Sequence, residues 1–125
     1  MAKILIADDE VSLANNLKER LVFEGYDVLL AHEGIRATEM ANRQSPDLVL
    51  LDLLMPVGTG QTVLQNLRTA PKTKNLPVIV MTAMKQPGLE AEIRQAGAHD
   101  FVQKPFEMKD LLEKIRLLLN PNPIA

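Results

Sequence analysis

Four places in this 125-residue chain carry side chains suited to chemistry: the acidic run Asp8-Asp9-Glu10, then Asp52, Thr82 and Lys104. Carboxylates drawn together at a dry edge repel one another, so such a group either raises a pKa or binds a cation. A site built from oxygens, with room for water, suits Mg²⁺, which keeps several of its waters and often shares its shell with phosphate. The acids at residues 8–10 exclude a glycine-rich phosphate cradle, where glycines and backbone amides stand instead. An anion can still enter if Mg²⁺ and the Lys104 ammonium neutralise it and the Thr82 hydroxyl donates to one of its oxygens. Asp52 is then the natural nucleophile, because carboxylates form acyl phosphates in phosphoryl transfer. Catalysis would rest on positioning and electrostatics.

These residues meet only if the elements carrying them end at one edge. Continuous apolar runs over Lys3–Ala7, Asp47–Leu51 and Pro77–Met81 read as strands covered on both faces. Tyr26–Ala31 and Asp100–Gln103 are candidates for two more. Between them the period changes to that of helices. Val11, Leu13, Ala14, Leu17, Leu21 and Val22 fall largely on one stripe, with Gly25 placed to end the helix. Ile35, Met40 and Ala41 mark a second helix, Val63, Leu64 and Leu67 a third, and Leu89, Ile93 and Ala96 a fourth stopped by Gly97. The fifth, Glu107–Leu119, meets Asn120-Pro121-Asn122-Pro123, which cannot continue it. Strict alternation with short connections implies right-handed crossovers and an α/β, doubly wound, five-stranded parallel sheet between two helical layers. The expected strand order is 2-1-3-4-5, the flavodoxin-like arrangement, whose ligand site lies outside the carboxyl ends of the strands. Asp8–Glu10, Asp52, Thr82 and Lys104 all fall on that rim.

Composition sets the outer limits. With 46% hydrophobic and 24% charged residues, the chain has the balance of a soluble globular domain of one core. A net charge of −2 and a pI near 5.7 disfavour direct nucleic-acid binding. Cysteine is absent, which excludes disulfides and thiolate metal sites. The apolar stretch after Met1-Ala2-Lys3 ends at Asp8, too short for a signal peptide or a membrane span, so a cytoplasmic location is expected.

Taken singly, each rim residue has an ordinary role. Asp9 or Glu10 suits the N-terminus of the first helix, Asp52 suits a turn ahead of Met55-Pro56, Thr82 suits a strand end, and Lys104 a solvated surface. Their joint placement at one edge of four strands favours a ligand site. His32 and His99 sit in turn-like contexts beside Glu33 and Asp100 and read as surface residues.

Four segments carry a resemblance: Ile4-Leu5-Ile6-Ala7-Asp8-Asp9-Glu10, Asp47 through Pro56, Met81-Thr82-Ala83, and Asp100-Phe101-Val102-Gln103-Lys104-Pro105-Phe106. In that order they make the sequence similar to response-regulator receiver domains of two-component signalling, over essentially its whole length. The resemblance implies a receiver domain over residues 1–120 with 121–125 as a tail or the start of a linker. It implies that Asp52 accepts a phosphoryl group from a sensor histidine kinase or a histidine phosphotransfer protein. Asp9, Asp52 and the Leu54 backbone carbonyl would bind Mg²⁺, with Asp8 assisting through water, while Thr82 and Lys104 contact the phosphoryl group. Phe101 matches the aromatic switch position that moves with the threonine, its ordinary alternative being a permanently buried ring. The bond before Pro105 is usually cis in the family, and X–Pro is where cis is inexpensive. Such a chain is a switch, with at most slow self-catalysed phosphorylation and dephosphorylation. Its output face, the fourth helix, fifth strand and fifth helix, would meet a downstream protein, an output domain or a second copy of the chain.

Two features depart from the commoner pattern. The loop after Pro56 reads Val57-Gly58-Thr59-Gly60, where the family often has a methionine and an acid before the glycine. Leu54 and Met84, two places beyond Asp52 and Thr82, are apolar and would screen an acyl phosphate from water. A flavin carrier of the same topology needs a hydroxyl- and glycine-rich loop where Asp8-Asp9-Glu10 stands. A haloacid-dehalogenase-type phosphatase needs a second aspartate where Leu54 lies. The remaining alternative is a receiver-like docking module that signals by protein binding without phosphorylation.

Overall fold

The first strand, β1 (Lys3–Ala7), is paired on both sides, so its side chains alternate between two buried faces. Ile4 and Ile6 point into one apolar layer, Leu5 and Ala7 into the other. This is a computed structural model, and it describes residues 1–120. The segment 121–125, expected to be a tail or the start of a linker, lies outside the described residues.

Along the chain follow α1 (Val11–Phe23), β2 (Asp27–Ala31), α2 (Gly34–Gln44), β3 (Leu48–Asp52), α3 (Gly60–Thr69), β4 (Val78–Thr82), α4 (Leu89–Gln95), β5 (Asp100–Gln103) and α5 (Met108–Leu119). The five strands form one parallel sheet, as the alternation implies, in the flavodoxin-like order expected, β2-β1-β3-β4-β5. Strands β3 and β4 are buried at every position, whereas the edge strands β2 and β5 are only partly covered. That explains why the central strands read as unbroken apolar runs and the edges do not.

One layer sets Ile4, Ile6, Leu48, Leu50, Ile79 and Met81 against Ala14, Leu17 and Leu21 of α1 and Leu111 and Ile115 of α5. The opposite layer sets Val49, Leu51, Val78 and Val80 against α2, α3 and α4. Each of the fully buried Val, Leu, Ile and Met side chains among these stabilises the fold by about 1.5–3 kcal/mol relative to exposure. The apolar stripes are narrower than their sequence suggests. Val11 and Val22 of α1 are exposed, and Ile35 of α2 is exposed while Ala37 and Ala41 make the contact. Ala96 caps α4 and is exposed. Small residues suffice where α2 lies close to the sheet.

Helix α1 ends as its sequence predicts. Gly25 takes φ 100°, its N–H donates to the Val22 carbonyl, and that of Tyr26 donates to Leu21. This sharp stop turns the chain directly into β2. Strands β3 and β4 each run one residue further than their apolar runs, which makes Asp52 and Thr82 the last residues of their strands. Among the described residues no helix is long and apolar enough to cross a membrane.

Candidate functional site

Most of the buried polar residues collect at the carboxyl edge of the sheet. Asp8, Asp52, Thr82 and Lys104 are buried although each sits at or just beyond the end of a different strand. The parallel register makes this possible, since Ala7 lies opposite Leu51, Asp52 opposite Met81 and Thr82 opposite Gln103. Burying such groups is costly unless they are paired. All of them are.

The Lys104 ammonium is the centre of the pairing. Its Nζ donates to Asp8 Oδ2 at 2.8 Å, Glu10 Oε1 at 2.8 Å and Asp52 Oδ2 at 3.0 Å. Its three protons thus meet three carboxylates. Burial disfavours the charged ammonium, but its hydrogen bonds to Asp8, Glu10 and Asp52 outweigh that and raise the Lys104 pKa. Asp52 has the opposite balance. Burial raises its pKa, Asp8 adds like-charge repulsion, and the Leu54 N–H and Lys104 only partly offset them. One cation shared among three acids leaves each acid incompletely compensated.

The remaining carboxylate oxygens hold the loops. Asp52 Oδ1 accepts from the Leu54 N–H at 3.0 Å, and Asp8 Oδ1 accepts from the Glu10 N–H at 2.9 Å. Glu10 stands at the N-cap of α1 but makes no side-chain cap, its carboxylate reaching Lys104 instead. Lys104 is not a solvated lysine and Asp52 is a strand residue, so both ordinary roles are set aside by position. Asp9 is exposed beside them, and no hydrogen bond or ion pair from another described residue reaches its side chain. Among the described residues, Asp8, Glu10 and Asp52 form the acidic group whose oxygens lie within 4.8 Å of one another. This all-oxygen set with excess negative charge fits a hard divalent cation such as Mg²⁺.

Thr82 Oγ1 accepts from the Met84 N–H at 3.2 Å, which leaves its own proton available to a ligand. The Thr82 carbonyl receives two donors, the Lys104 N–H at 2.8 Å and Gln103 Nε2 at 3.1 Å. Gln103 also donates to the Met84 carbonyl at 3.0 Å and so ties β5 to the loop after β4. The Lys104–Pro105 peptide is cis, as expected. Phe101 lies opposite Val80, on the sheet face that Thr82 shares by its two-residue spacing. The ring is half-buried and lines a recess of about 250 Å³ with Met84, Leu89 and Ala91. Leu54 is exposed and Met84 half-buried at the rim.

Two contributors escape sequence reasoning. Gln103 carries no signal beyond its place next to Lys104. His32, expected at the surface, is half-buried with Nδ1 2.8 Å from the Asp8 carbonyl. His99 is exposed, as expected, although its Nδ1 faces both the Val78 N–H and the Arg68 guanidinium at 3.3 Å.

A doubly wound sheet with acids, a threonine and a lysine gathered at its switch point defines an α/β domain built to handle a charged ligand. The chain belongs to the response regulator receiver domain family, whose model matches residues 4–116. It is 37% identical over 119 residues to the DNA-binding dual master transcriptional regulator RpaA of Synechocystis, a match covering 95% of this chain and 49% of that protein. It is 38% identical to the response regulator MprA of Mycobacterium leprae, over 94% of this chain and 50% of the relative. The chain therefore spans about half the length of these curated relatives. Among solved structures, the Francisella response regulator 1452 receiver domain matches with a TM-score of 0.90 at 28% identity, covering 97% of this chain and 98% of that one. The receiver domain of the sensor histidine kinase PA1611 of Pseudomonas aeruginosa, solved with a magnesium ion in its active-site cleft, matches with a TM-score of 0.87 at 28% identity, over 95% and 98% of the chains. Membership of this family makes the chain a domain of two-component signalling, a switch rather than a turnover enzyme.

Proposed function

We propose that residues 1–120 form a receiver domain that accepts a phosphoryl group on Asp52 from a phosphohistidine, and that this event resets its α4–β5–α5 surface. The observation that carries the reading is the buried Lys104 ammonium, 3.0 Å from the Asp52 carboxylate at the rim of the sheet. A carboxylate oxygen of Asp52 bonds to phosphorus as the P–N bond to the donor imidazole breaks, giving an acyl phosphate and a free imidazole. Lys104 would exchange a carboxylate for a phosphoryl oxygen, and the Thr82 hydroxyl would donate to another. Asp9 and Asp52 with the Leu54 carbonyl would hold Mg²⁺, and Asp8 would act through water. Bound there, Mg²⁺ supplies neutralising charge to the transferring oxygens. Movement of Thr82 toward the new group would draw Phe101 inward along the same sheet face.

The partners in this reading are a sensor histidine kinase or a histidine phosphotransfer protein upstream, and a protein, output domain or second copy of the chain on the α4–β5–α5 face. On that face Glu90 and Arg94 of α4, Asp100 of β5 and Lys114 of α5 form a connected set of ion pairs. Net charge of −2 assigns no direct nucleic-acid contact to this domain; DNA binding, named for the Synechocystis relative, would belong to the half of that protein without a counterpart here. The location is taken as cytoplasmic, where such kinases deliver phosphoryl groups.

Incubation with acetyl phosphate, or with beryllofluoride and Mg²⁺, tests the reading. Intact mass should rise by one phosphoryl group with acetyl phosphate, and the amides around Thr82 and Phe101 should shift with beryllofluoride. Both responses should vanish in Asp52→Asn. A wild-type protein that responds to neither reagent would leave only the docking alternative.

A further inference from the structure

The four residues His32–Ile35, the two that join β2 to α2 and the first two of α2, reach both loops that carry the site's acids. His32 Nδ1 lies 2.8 Å from the Asp8 carbonyl, which only accepts, so this nitrogen carries a proton and donates. The Asp8 N–H in turn donates to the Ala31 carbonyl at 3.0 Å. Two residues on, the Gly34 N–H donates to the Pro56 carbonyl at 3.1 Å and the Ile35 N–H to the Val57 carbonyl at 2.8 Å. These are opening amides of α2, which lack partners within the helix and are satisfied here by the loop that follows Asp52.

The contact is close by construction. A Cβ on Gly34 would stand 1.9 Å from the Gly58 carbonyl oxygen, so only glycine admits the loop at this distance. Val57 is held at φ 50°, a left-handed conformation that is costly for a β-branched residue. The surrounding hydrogen bonds hold it there. β1 and β3 are paired as far as Ala7 and Leu51, but beyond that pair no backbone hydrogen bond among the described residues joins the β1–α1 loop to the β3–α3 loop, and the 32–35 segment bonds to both.

We propose that His32–Ile35 is a strap that sets the separation of the Asp8 and Asp52 loops, and that His32 is a positioning residue for the cation-binding carboxylates. The proposal rests on the receiver reading of the site. Outer partners that orient ligating groups typically govern metal affinity without touching the metal. The strap would act this way through the backbone of Asp8.

Mg²⁺ titration followed by amide chemical shifts, on the whole 125-residue chain, reads the effect. His32→Leu should weaken Mg²⁺ binding about tenfold, while His32→Asn, whose side-chain N–H₂ stands in for Nδ1–H, should recover most of it. Ile115→Val, a core change in α5 on the other side of the sheet, should lower thermal stability and leave Mg²⁺ affinity unchanged. Wild-type affinity in folded His32→Leu, or no recovery in His32→Asn, would overturn the strap. If the wild-type protein binds no Mg²⁺, the receiver reading of the cation site fails and amide exchange judges the strap by itself. Exchange at Glu10 and Leu54, whose N–H groups donate to the Asp8 and Asp52 carboxylates, should quicken in His32→Leu; unchanged rates would refute it.

Discussion

Lys104 lies 96 residues from Asp8 and 52 from Asp52, yet its ammonium bonds both carboxylates at 2.8 and 3.0 Å inside the fold. The site is therefore a product of the sheet, which brings the ends of β1, β3 and β5 to one rim. Its charge is unbalanced, with one cation against three acids, and much of its expected behaviour follows from that.

Removing the cation should expose the imbalance. Lys104→Met leaves Asp8, Glu10 and Asp52 without a counter-charge and should cost about 3 kcal/mol of stability, the scale for breaking a buried ion pair. Mg²⁺ should then raise the melting temperature of the variant more than that of the wild type, because the metal replaces the lost charge. Calorimetry with and without Mg²⁺ reads both effects, and the variant should no longer respond to beryllofluoride.

Asp52→Asn should stabilise the domain near pH 7. Burial raises the Asp52 pKa above 3.8, so its favourable contribution is complete below that value and is lost as pH rises through the folded value. Neutral Asn removes the cost of the buried charge, while Lys104 keeps Asp8 and Glu10. Urea unfolding should show the variant's advantage at pH 7 shrinking as pH falls toward 3.8. A wild type more stable than the variant at neutral pH would contradict this balance.

His99 should impose the reverse slope. Burial first, and then the Arg68 charge, lower its pKa below 6.5. The Val78 N–H and the Arg68 guanidinium can only donate, so Nδ1 must be unprotonated to serve them. Its stabilising contribution is complete above the unfolded value and falls as pH drops through the depressed folded value. In His99→Asn the Oδ1 accepts without titrating, and the stability difference between pH 7.5 and 5.5 should be smaller than in the wild type.

Leu54 and Met84 should protect the phosphoryl group. Both are apolar at the mouth of the site, Leu54 exposed and Met84 half-buried, and neither can orient an attacking water. Leu54→Asn combined with Met84→Glu supplies such groups and should shorten the acyl phosphate lifetime by about tenfold, equal to about 1.4 kcal/mol of barrier. Phosphate release after removal of acetyl phosphate measures it; an unchanged lifetime would show that water reaches phosphorus by another route.

Apolar runs and helical periodicity are enough to read off the order of elements, the parallel sheet and the rim on which the polar residues fall. Unbroken apolar runs such as Leu48–Leu51 exist because central strands are covered on both faces, and Gly25 ends α1 because the left-handed turn there favours glycine. Helical faces were less legible. Ile35 looks like a core residue, but α2 approaches its neighbours so closely that Ala37 and Ala41 fill the interface. The partners at the rim are set by the folded arrangement. Periodicity places a residue on a face or at an end, whereas a hydrogen bond depends on side-chain direction across many residues of intervening chain. Hence the engagement of Glu10 with Lys104, the grip of His32 on the Asp8 backbone and the tie of Gln103 to Thr82 emerge only when the strands are set side by side.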